Sequence, residues 1–196
     1  MHFAIIADDL TGASDTGVQL AKTGFQVSVW LDEKKRSVNE FEAVVFDTDS
    51  RAVPAREAYD RVSRVCMRIR EHDPQVVYKK IDSTLRGNIG AELDAVYDHF
   101  QPDFVVIAPA FPQTGRTVER GVLYVNGVPV NETDAGRDTQ APVQTAYVPH
   151  RIGEQSERQV GLITSTDLTE EREQWQHMLR RFKEDGTVYL VLDTVS

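Results

Sequence analysis

Residues 78–93, "YKKIDSTLRGNIGAEL", place more charged and hydroxyl side chains in one turn than a chain reversal requires. A turn that only reverses the chain is usually built from Gly, Asn or Pro. This one follows a strand-like run with lysines, an aspartate, hydroxyl residues and an arginine, and it reaches two glycines before a helical pattern begins. Side chains of these types are suited to holding a small polyhydroxylated anion.

Polar turns of the same kind follow other strand-like runs. In an open parallel sheet, small ligands bind where the carboxyl ends of the strands meet. We therefore expect one binding edge, formed by the turns after the first, third, fourth and fifth runs. The polar residues of these turns are Asp8, Asp9, Thr11 and Gly12; Asp47, Asp49, Ser50 and Arg51; residues 79–88; and Gln113, Thr114 and Arg116.

The cationic side chains at this edge predict that it binds an anion. Arg51, Lys80 and Arg86 can neutralise a carboxylate or a phosphate, and arginine does so with a bidentate fork. Gly87 and Gly90 would let backbone N–H groups approach the same anion at a helix start, where the helix dipole adds about 0.3–1 kcal/mol.

The carboxylates at this edge predict contacts to hydroxyl groups. Asp8, Asp9 and Asp82 can accept hydrogen bonds from a sugar. One of them can also serve as the base toward a hydroxyl that attacks a phosphoryl group.

The elements that position these turns alternate along the chain. Seven apolar runs are separated by amphipathic stretches, which predicts an α/β fold with a mainly parallel sheet flanked by helices. The predicted strands are residues 2–7, 26–31, 43–48, 75–80, 104–109, 159–164 and 187–194. The predicted helices are residues 11–24, 54–72, 90–100 and 167–184, with Gly24, Pro54 and Asp167 at helix ends.

One segment departs from this alternation. Residues 121–133, "GVLYVNGVPVNET", are two short alternating runs around Asn126-Gly127, a strong signal for a type I′ turn. We predict a β-hairpin excursion near residues 118–133, within a polar region from residue 109 to residue 155. Such an excursion either shapes a binding site or forms a plain surface flap.

Length and composition exclude several classes of protein. We expect a single compact domain over residues 1–196, and the net charge of −9 argues against a nucleic-acid partner held through its phosphates. No apolar run approaches the roughly 18 residues needed to span a membrane. The N-terminal sequence lacks the basic leader of a secretory signal, so we expect a cytoplasmic protein.

Cysteine and histidine usage predicts neither a disulfide nor a metal site. Cys66 is the only cysteine and lies in an apolar helical stretch, which favours a buried structural thiol over a nucleophile. The five histidines are dispersed, without metal-ligand spacing. The sequence also lacks a P-loop, a GxGxxG fingerprint and a kinase catalytic loop, so it shows no nucleoside triphosphate site.

Five motifs together resemble the amino-terminal domain of the four-carbon acid sugar kinase family. They are "IADDLTGASDTGVQLAKTG", "DTDSRA", "YKKIDSTLRGNIGAEL", "APAFPQTGRT" and "GVLYVNGVPVNET", in the family's order over most of residues 3–145. Within the family, the first motif is most similar to the D-threonate kinases, and the 3-oxo-tetronate and erythronate kinases share much of it.

The resemblance implies the sugar-acid-binding half of an ATP-dependent kinase that phosphorylates the terminal hydroxyl of D-threonate, D-erythronate or a 3-oxo-tetronate. In such an enzyme a carboxyl-terminal domain binds ATP, with Mg²⁺ expected to accompany it. The family chain is longer than this one, so we expect that the nucleotide-binding domain is absent here and that the isolated chain is inactive. The expected partners are the sugar acid and that second domain, with no nucleic acid or membrane; a homodimer is left open.

Residue by residue, the resemblance places the sugar-acid contacts on Asp9, Arg51, Lys80, Ile81, Asp82 and Ser83. Together with the polar turns, the candidate substrate-binding residues are Asp8, Asp9, Arg51, Lys80, Ile81, Asp82, Ser83, Arg86, Gly87, Asn88 and Arg116. The candidate catalytic residues are Asp9 and Asp82.

Parts of the same residue pattern also occur with two other functions. A non-catalytic domain that binds small anions for regulation would keep the substrate site without the kinase half. A haloacid-type phosphatase is suggested by the adjacent Asp8 and Asp9, but it requires a D-x-D-x-T spacing that "DDLTGASD" lacks.

Overall fold

The computed structural model describes residues 1–31 and 40–194. The chain divides into two compact units, each built from two segments. The first unit comprises Met1–Asp82 with Ala91–Gln101, and the second comprises Ser83–Gly90 with Pro102–Ser196. Among the described residues, no helix is both long enough and apolar enough to cross a membrane.

A four-stranded parallel sheet in the order β2-β3-β1-β4 forms the centre of the first unit. Its strands are β1 (Phe3–Ala7), β2 (Val27–Trp30), β3 (Ala43–Asp47) and β4 (Val76–Lys80). The helices of this unit are α1 (Leu10–Lys22), α2 (Ala55–Arg70) and most of α3 (Ile89–Phe100).

Both faces of this sheet are apolar, because successive residues of a strand point to opposite faces and helices cover each of them. In β1, Ile6 shares a core cluster with Val62 of α2 and Ala95 of α3. Its neighbour Ile5 packs instead with Ala13 of α1. The sheet therefore lies between α1 on one face and α2 with α3 on the other.

The second unit contains two sheets. A parallel sheet in the order β5-β10-β9 and an antiparallel sheet in the order β6-β7-β8 make up its strands. The parallel strands are β5 (Val105–Ile107), β9 (Gln159–Ile163) and β10 (Thr187–Leu192). The antiparallel strands are β6 (Arg116–Glu119), β7 (Val122–Val125) and β8 (Val128–Pro129), and the helices are α4 (Val148–Gly153) and α5 (Arg172–Glu184).

The predicted α/β fold is confirmed, and the strands at all seven predicted runs pair in parallel. They form two sheets, however, so the strand at the fifth run, β5, does not belong to the sheet that contains the first, third and fourth runs. The hairpin is confirmed as β7 and β8, and the φ angles of Asn126 (51°) and Gly127 (79°) are both positive, as a type I′ turn requires. β6 adds a third strand to it, which the sequence analysis did not identify because four residues show little periodicity.

The prediction that Asp167 caps the last long helix is wrong. That helix, α5, begins at Arg172, and Glu171 caps it through reciprocal hydrogen bonds with Gln174. The carboxylate of Asp167 instead accepts hydrogen bonds from the backbone N–H (2.8 Å) and the hydroxyl (2.6 Å) of Thr164. Asp167 therefore closes the turn after β9 and cannot reach a later helix start.

Cys66 lies on the buried face of α2. Burial raises the pKa of its thiol to about 12. A thiol that stays protonated at neutral pH is a poor nucleophile. The structure thus agrees with the predicted structural role.

Asp193, directly after β10, is a buried carboxylate that holds three backbone N–H groups. Its oxygens accept hydrogen bonds from Arg120 (2.8 Å), Gly121 (2.8 Å) and Ser165 (3.1 Å). These donors lie in the turn between β6 and β7 and in the turn after β9. One carboxylate therefore joins both sheets of the second unit.

We expect Asp193→Asn to lower the free energy of unfolding by about 1–3 kcal/mol, because the amide replaces an acceptor oxygen with a donor that faces the same N–H groups. Urea denaturation measures the change. The matched control is Asp134→Asn, since the Asp134 carboxylate is fully exposed and its ion pair with Arg137, at 3.8 Å, is a long one. Equal effects of the two substitutions would contradict this role of Asp193.

Candidate functional site

The candidate site forms where β3, β1 and β4 end, in the first unit. Ala7, the last residue of β1, is in register with Asp47 of β3 and with Lys80 of β4. Because the three neighbouring strands end at one level, the turns that follow them lie side by side. These turns contain Asp8 and Asp9, residues 48–51, and residues 81–82.

Arg51 is held by the carboxylates at the end of β1. Its Nε donates to Asp8 Oδ2 and its Nη1 donates to Asp9 Oδ2, both at 2.7 Å. Its Nη2 is 3.9 Å from Asp82 Oδ1. The structure thus brings four of the predicted site residues into one charged cluster.

Backbone contacts hold the same turns together. The N–H groups of Ser50 (3.0 Å) and Arg51 (3.3 Å) donate to the carbonyl oxygen of Asp8. Asp9 caps α1, because its Oδ1 accepts from the N–H of Gly12 at 2.8 Å. A Cβ atom on Gly12 would lie only 2.8 Å from Asp9 Oδ1 and 3.4 Å from Lys80 Nζ, so this helix start accommodates only glycine without rearrangement.

The cluster keeps Arg51 charged and leaves this edge electronegative. Burial lowers the pKa of Arg51, but the hydrogen bond to Asp8 and the charges of Asp8, Asp82 and Asp9 outweigh burial and raise it. Burial also raises the pKa of Asp47, and the charges of neighbouring carboxylates add to that rise. An added hydroxyl donor would therefore be attracted to this edge.

Lys80 differs from Arg51 in its partners. Its ammonium group donates to the carbonyl oxygen of Ile81 at 2.6 Å. Within residues 1–31 and 40–194, no carboxylate lies within ion-pair distance of it. Because an ammonium group has three donors, Lys80 is the cation of this cluster best able to bind an added anion.

A buried polar network lies beside the site. Lys79 Nζ is 2.6 Å from Glu92 Oε2, and the two side chains are 4% and 2% exposed. Glu92 Oε1 is 2.7 Å from Ser50 Oγ, which is 2.7 Å from Thr48 Oγ1. The Thr48 hydroxyl donates to the carbonyl oxygen of Ala7 at 2.8 Å. The network therefore connects α3 and β4 to the turn that carries Arg51.

Ser50 and Lys79 of this network were predicted to lie at the binding edge, whereas Thr48 and Glu92 were not identified as functional. One signal for them is present: Glu92 is next to Leu93, Ala95 and Val96, all of which are buried in α3. A carboxylate among buried apolar positions requires a buried partner. Lys79 provides it from the adjacent strand.

The predicted glycines of the second unit have a structural explanation. The N–H of Gly90 donates to Gln155 Oε1 at 2.8 Å, and the carbonyl of Gly87 accepts from Gln155 Nε2 at 2.9 Å. A Cβ atom on Gly90 would lie 2.5 Å from Gln155 Cβ. The Gly90 amide is therefore occupied by a protein side chain, contrary to its predicted contact with an anion.

The other predicted residues of the second unit are partly buried. Arg86 Nη1 lies 3.4 Å from Asp138 Oδ2. Arg116 Nη1 donates to the carbonyl oxygen of Thr114 at 2.8 Å, whereas its Nε is buried and has no hydrogen-bond partner among the described residues. Ser83 and Asn88 flank the turn that contains Arg86.

Comparison with known proteins places the chain in a family. The family model of the sugar-binding N-terminal domain matches residues 3–196. The chain belongs to this family. The resemblance found in the sequence motifs is therefore confirmed.

The relatives of this sugar-binding domain include kinases of four-carbon acid sugars. A D-erythronate kinase of Heliobacterium modesticaldum is 38% identical over 199 residues, which cover 100% of this chain and 45% of that protein. A D-threonate kinase of Salmonella typhimurium is also 38% identical and is covered to 46% of its length. The chain thus spans about half the length of the curated relatives it matches.

A solved structure from Bordetella bronchiseptica, crystallised as a domain-swapped dimer with bound citrate, has the same fold. The TM-score is 0.83 at 32% identity, and the match covers 100% of this chain and 48% of that one.

We expect Arg51→Ala to lower the free energy of unfolding by about 3–5 kcal/mol, because it leaves the buried Asp8 carboxylate without its counter-charge. The double variant with Asp8→Asn should recover part of this loss, since the uncompensated charge is removed as well. Urea denaturation measures both changes.

The control for this pair is Arg56→Ala on the same unit. Arg56 is 82% exposed and lies 3.2 Å from Asp60. Its removal should change stability by less than about 1 kcal/mol. If the Arg51 and Arg56 variants lose similar amounts of unfolding free energy, the buried contacts of Arg51 contribute no more to stability than an exposed ion pair.

Proposed function

We propose that this chain is the sugar-acid-binding half of an ATP-dependent kinase that phosphorylates the terminal hydroxyl of a four-carbon acid sugar. The observation that carries the proposal is the cluster of Asp8, Asp9, Asp82 and Arg51 beside the Lys80 ammonium group. It combines acceptors for hydroxyl groups with a cation for a carboxylate. The names of the relatives, D-erythronate and D-threonate kinase, support the same class of substrate.

In this proposal Lys80 binds the carboxylate of the acid. Its ammonium group can donate to a carboxylate while it keeps its bond to Ile81. Arg51 contributes mainly by fixing the carboxylates, because two of its N–H groups already donate to Asp8 and Asp9.

The carboxylates then bind the hydroxyl groups of the acid. Asp8 Oδ1 is buried and has no hydrogen-bond partner among the described residues, so it is an acceptor suited to a hydroxyl donor. Asp9 and Asp82 are the proposed catalytic carboxylates, one of which takes the proton of the attacking hydroxyl. Ile81 is a further candidate contact of this site, and the contacts at Ser83, Arg86, Gly87, Asn88 and Arg116 stay predictions from the sequence.

We propose that ATP binds outside the described residues. The glycine-rich turn cannot hold a phosphate through Gly90, whose N–H donates to Gln155. The part of the chain that the structure describes also contains no group of three or more His, Cys, Asp or Glu residues that could hold a metal ion. We therefore assign ATP, which supplies the phosphoryl group, and its Mg²⁺ to a carboxyl-terminal domain.

Because the Bordetella protein is a domain-swapped dimer, we also propose that this chain forms a homodimer.

We expect Lys80→Ala to weaken binding of the preferred acid by about 1.5–3 kcal/mol, the range for charge-assisted hydrogen bonds. Calorimetry with D-threonate, D-erythronate and 3-oxo-tetronate measures the affinities of both chains. Lys22→Ala is the control, since Lys22 is an exposed lysine in the last turn of α1. Failure of the wild-type chain to bind any of these acids would contradict the proposed function.

We expect no kinase activity from the isolated 196-residue chain, because its sequence shows no P-loop, GxGxxG fingerprint or kinase catalytic loop. The measurement is ADP release with each acid, with the Lys80→Ala chain prepared in parallel as a contamination control. Turnover by the wild-type chain that the Lys80 variant lacks would show that the nucleotide also binds here. A non-catalytic regulatory domain would also bind the acid without turnover. Turnover by a longer chain that includes the proposed nucleotide domain would therefore distinguish the kinase half from such a regulatory domain.

A further inference from the structure

The buried carboxyl group of Glu92 begins a series of short oxygen contacts. Glu92 Oε1 is 2.7 Å from Ser50 Oγ, Ser50 Oγ is 2.7 Å from Thr48 Oγ1, and Thr48 Oγ1 is 2.8 Å from the Ala7 carbonyl oxygen. Each distance is typical of an O–H···O hydrogen bond, and each bond needs one hydrogen.

The number of available hydrogens determines the protonation state. A carbonyl oxygen only accepts, and each hydroxyl group donates one hydrogen. Ser50 and Thr48 therefore supply two hydrogens for three contacts. If Glu92 were ionised, one of these three pairs of oxygen atoms would be in contact with no hydrogen between them. A protonated Glu92 donates to Ser50, which lets Ser50 donate to Thr48 and Thr48 to Ala7.

The groups that face Glu92 are consistent with a neutral carboxyl. Burial raises the pKa of Glu92 and the charge of Asp8 after β1 raises it further, whereas the charge of Lys79 from β4 and the hydrogen bonds with Lys79 and Ser50 lower it; the net effect is a rise. The charge of Lys79 also acts on the buried thiol of Cys66 in α2 and lowers its pKa, while burial raises it to about 12. Among the described residues, the charged groups that act on the Glu92 carboxyl are the Lys79 ammonium and the Asp8 carboxylate.

We propose that Glu92 is a positioning residue that acts in its protonated form and holds the Arg51 turn in place for the sugar acid. This inference rests on the proposed function of the site. Ser50 immediately precedes Arg51, and the turn is held on one side by the bond from Ser50 N–H to Asp8 and on the other by the hydroxyl contacts to Glu92. Loss of the Glu92 proton breaks one of these contacts and repels the ligand, so affinity falls as the pH rises.

The Glu92→Gln variant tests the protonation state because an amide imitates a protonated carboxyl. Its N–H donates to Ser50 while its oxygen accepts from Lys79. We expect this variant to bind the acid as well as the wild-type chain at acidic pH and to keep that affinity at alkaline pH. As the pH rises, the wild-type affinity should fall by a total of about tenfold for each unit by which ligand binding shifts the Glu92 pKa. Loss of binding by the variant at every pH would overturn the proposal.

Infrared spectroscopy provides a measurement that needs no ligand. The wild-type chain should show the C=O stretching band of a protonated carboxyl at neutral pH, and Glu92→Gln should lack it. The matched control is Glu57→Gln, since Glu57 is half-exposed and paired with Arg61 at 2.6 Å. Absence of the band from the wild-type spectrum would overturn the proposal directly.

The pH dependence of stability gives a third, independent result. A carboxyl whose folded pKa is raised above its ordinary value of 4.5 contributes stability at low pH and loses it as the pH rises through the folded pKa. Glu92→Gln should therefore gain stability relative to the wild-type chain as the pH rises. An ionised Glu92 paired with Lys79 predicts the opposite slope.

These measurements separate the two proposals. If the band and the stability slope are as expected but the wild-type chain binds no acid at any pH, the proposed function fails and the protonation of Glu92 stands. If the acid binds but the band is absent, the positioning role fails and the proposed function stands.

Discussion

The contact between the Arg51 guanidinium and the carboxylates of Asp8 and Asp9 is the interaction on which the site depends. Asp8 is only 3% exposed, and an isolated carboxylate at that depth would be strongly disfavoured. Arg51 supplies the opposite charge from the turn after the neighbouring strand. The same contact therefore fixes two turns and allows charged acceptors to remain in a partly buried site.

In this cluster the two cations have different roles: Arg51 holds the carboxylates in place, and Lys80 is proposed to bind the ligand. The bidentate geometry of arginine suits Arg51 to hold two carboxylates at fixed positions. The compact, flexible ammonium group of Lys80 has donors left for an added anion. A site whose charged groups are held by one another needs little rearrangement when a ligand enters, which lowers the entropic cost of binding.

The sequence predicted the site to the extent that local patterns determine it. Strand periodicity placed Asp8, Arg51 and Lys80 at carboxyl ends, and parallel pairing then required these ends to meet. It did not predict the partners, because Gly90 contacts Gln155 and Ser50 contacts Glu92 across long stretches of chain. Polar residue types in a turn do not show whether they bind a ligand or another part of the protein.

The division of the chain has a consequence for the order in which the protein forms during synthesis. Residues 83–90 belong to the second unit although first-unit segments lie on both sides of them in the sequence. The backbone groups of Gly87 and Gly90 bond to Arg151 and Gln155, which are synthesised after every segment of the first unit. Until these residues have left the ribosome, these bonds cannot form. A nascent chain of this protein therefore exposes its glycine-rich turn to solvent and to proteases for longer than the elements on either side of it.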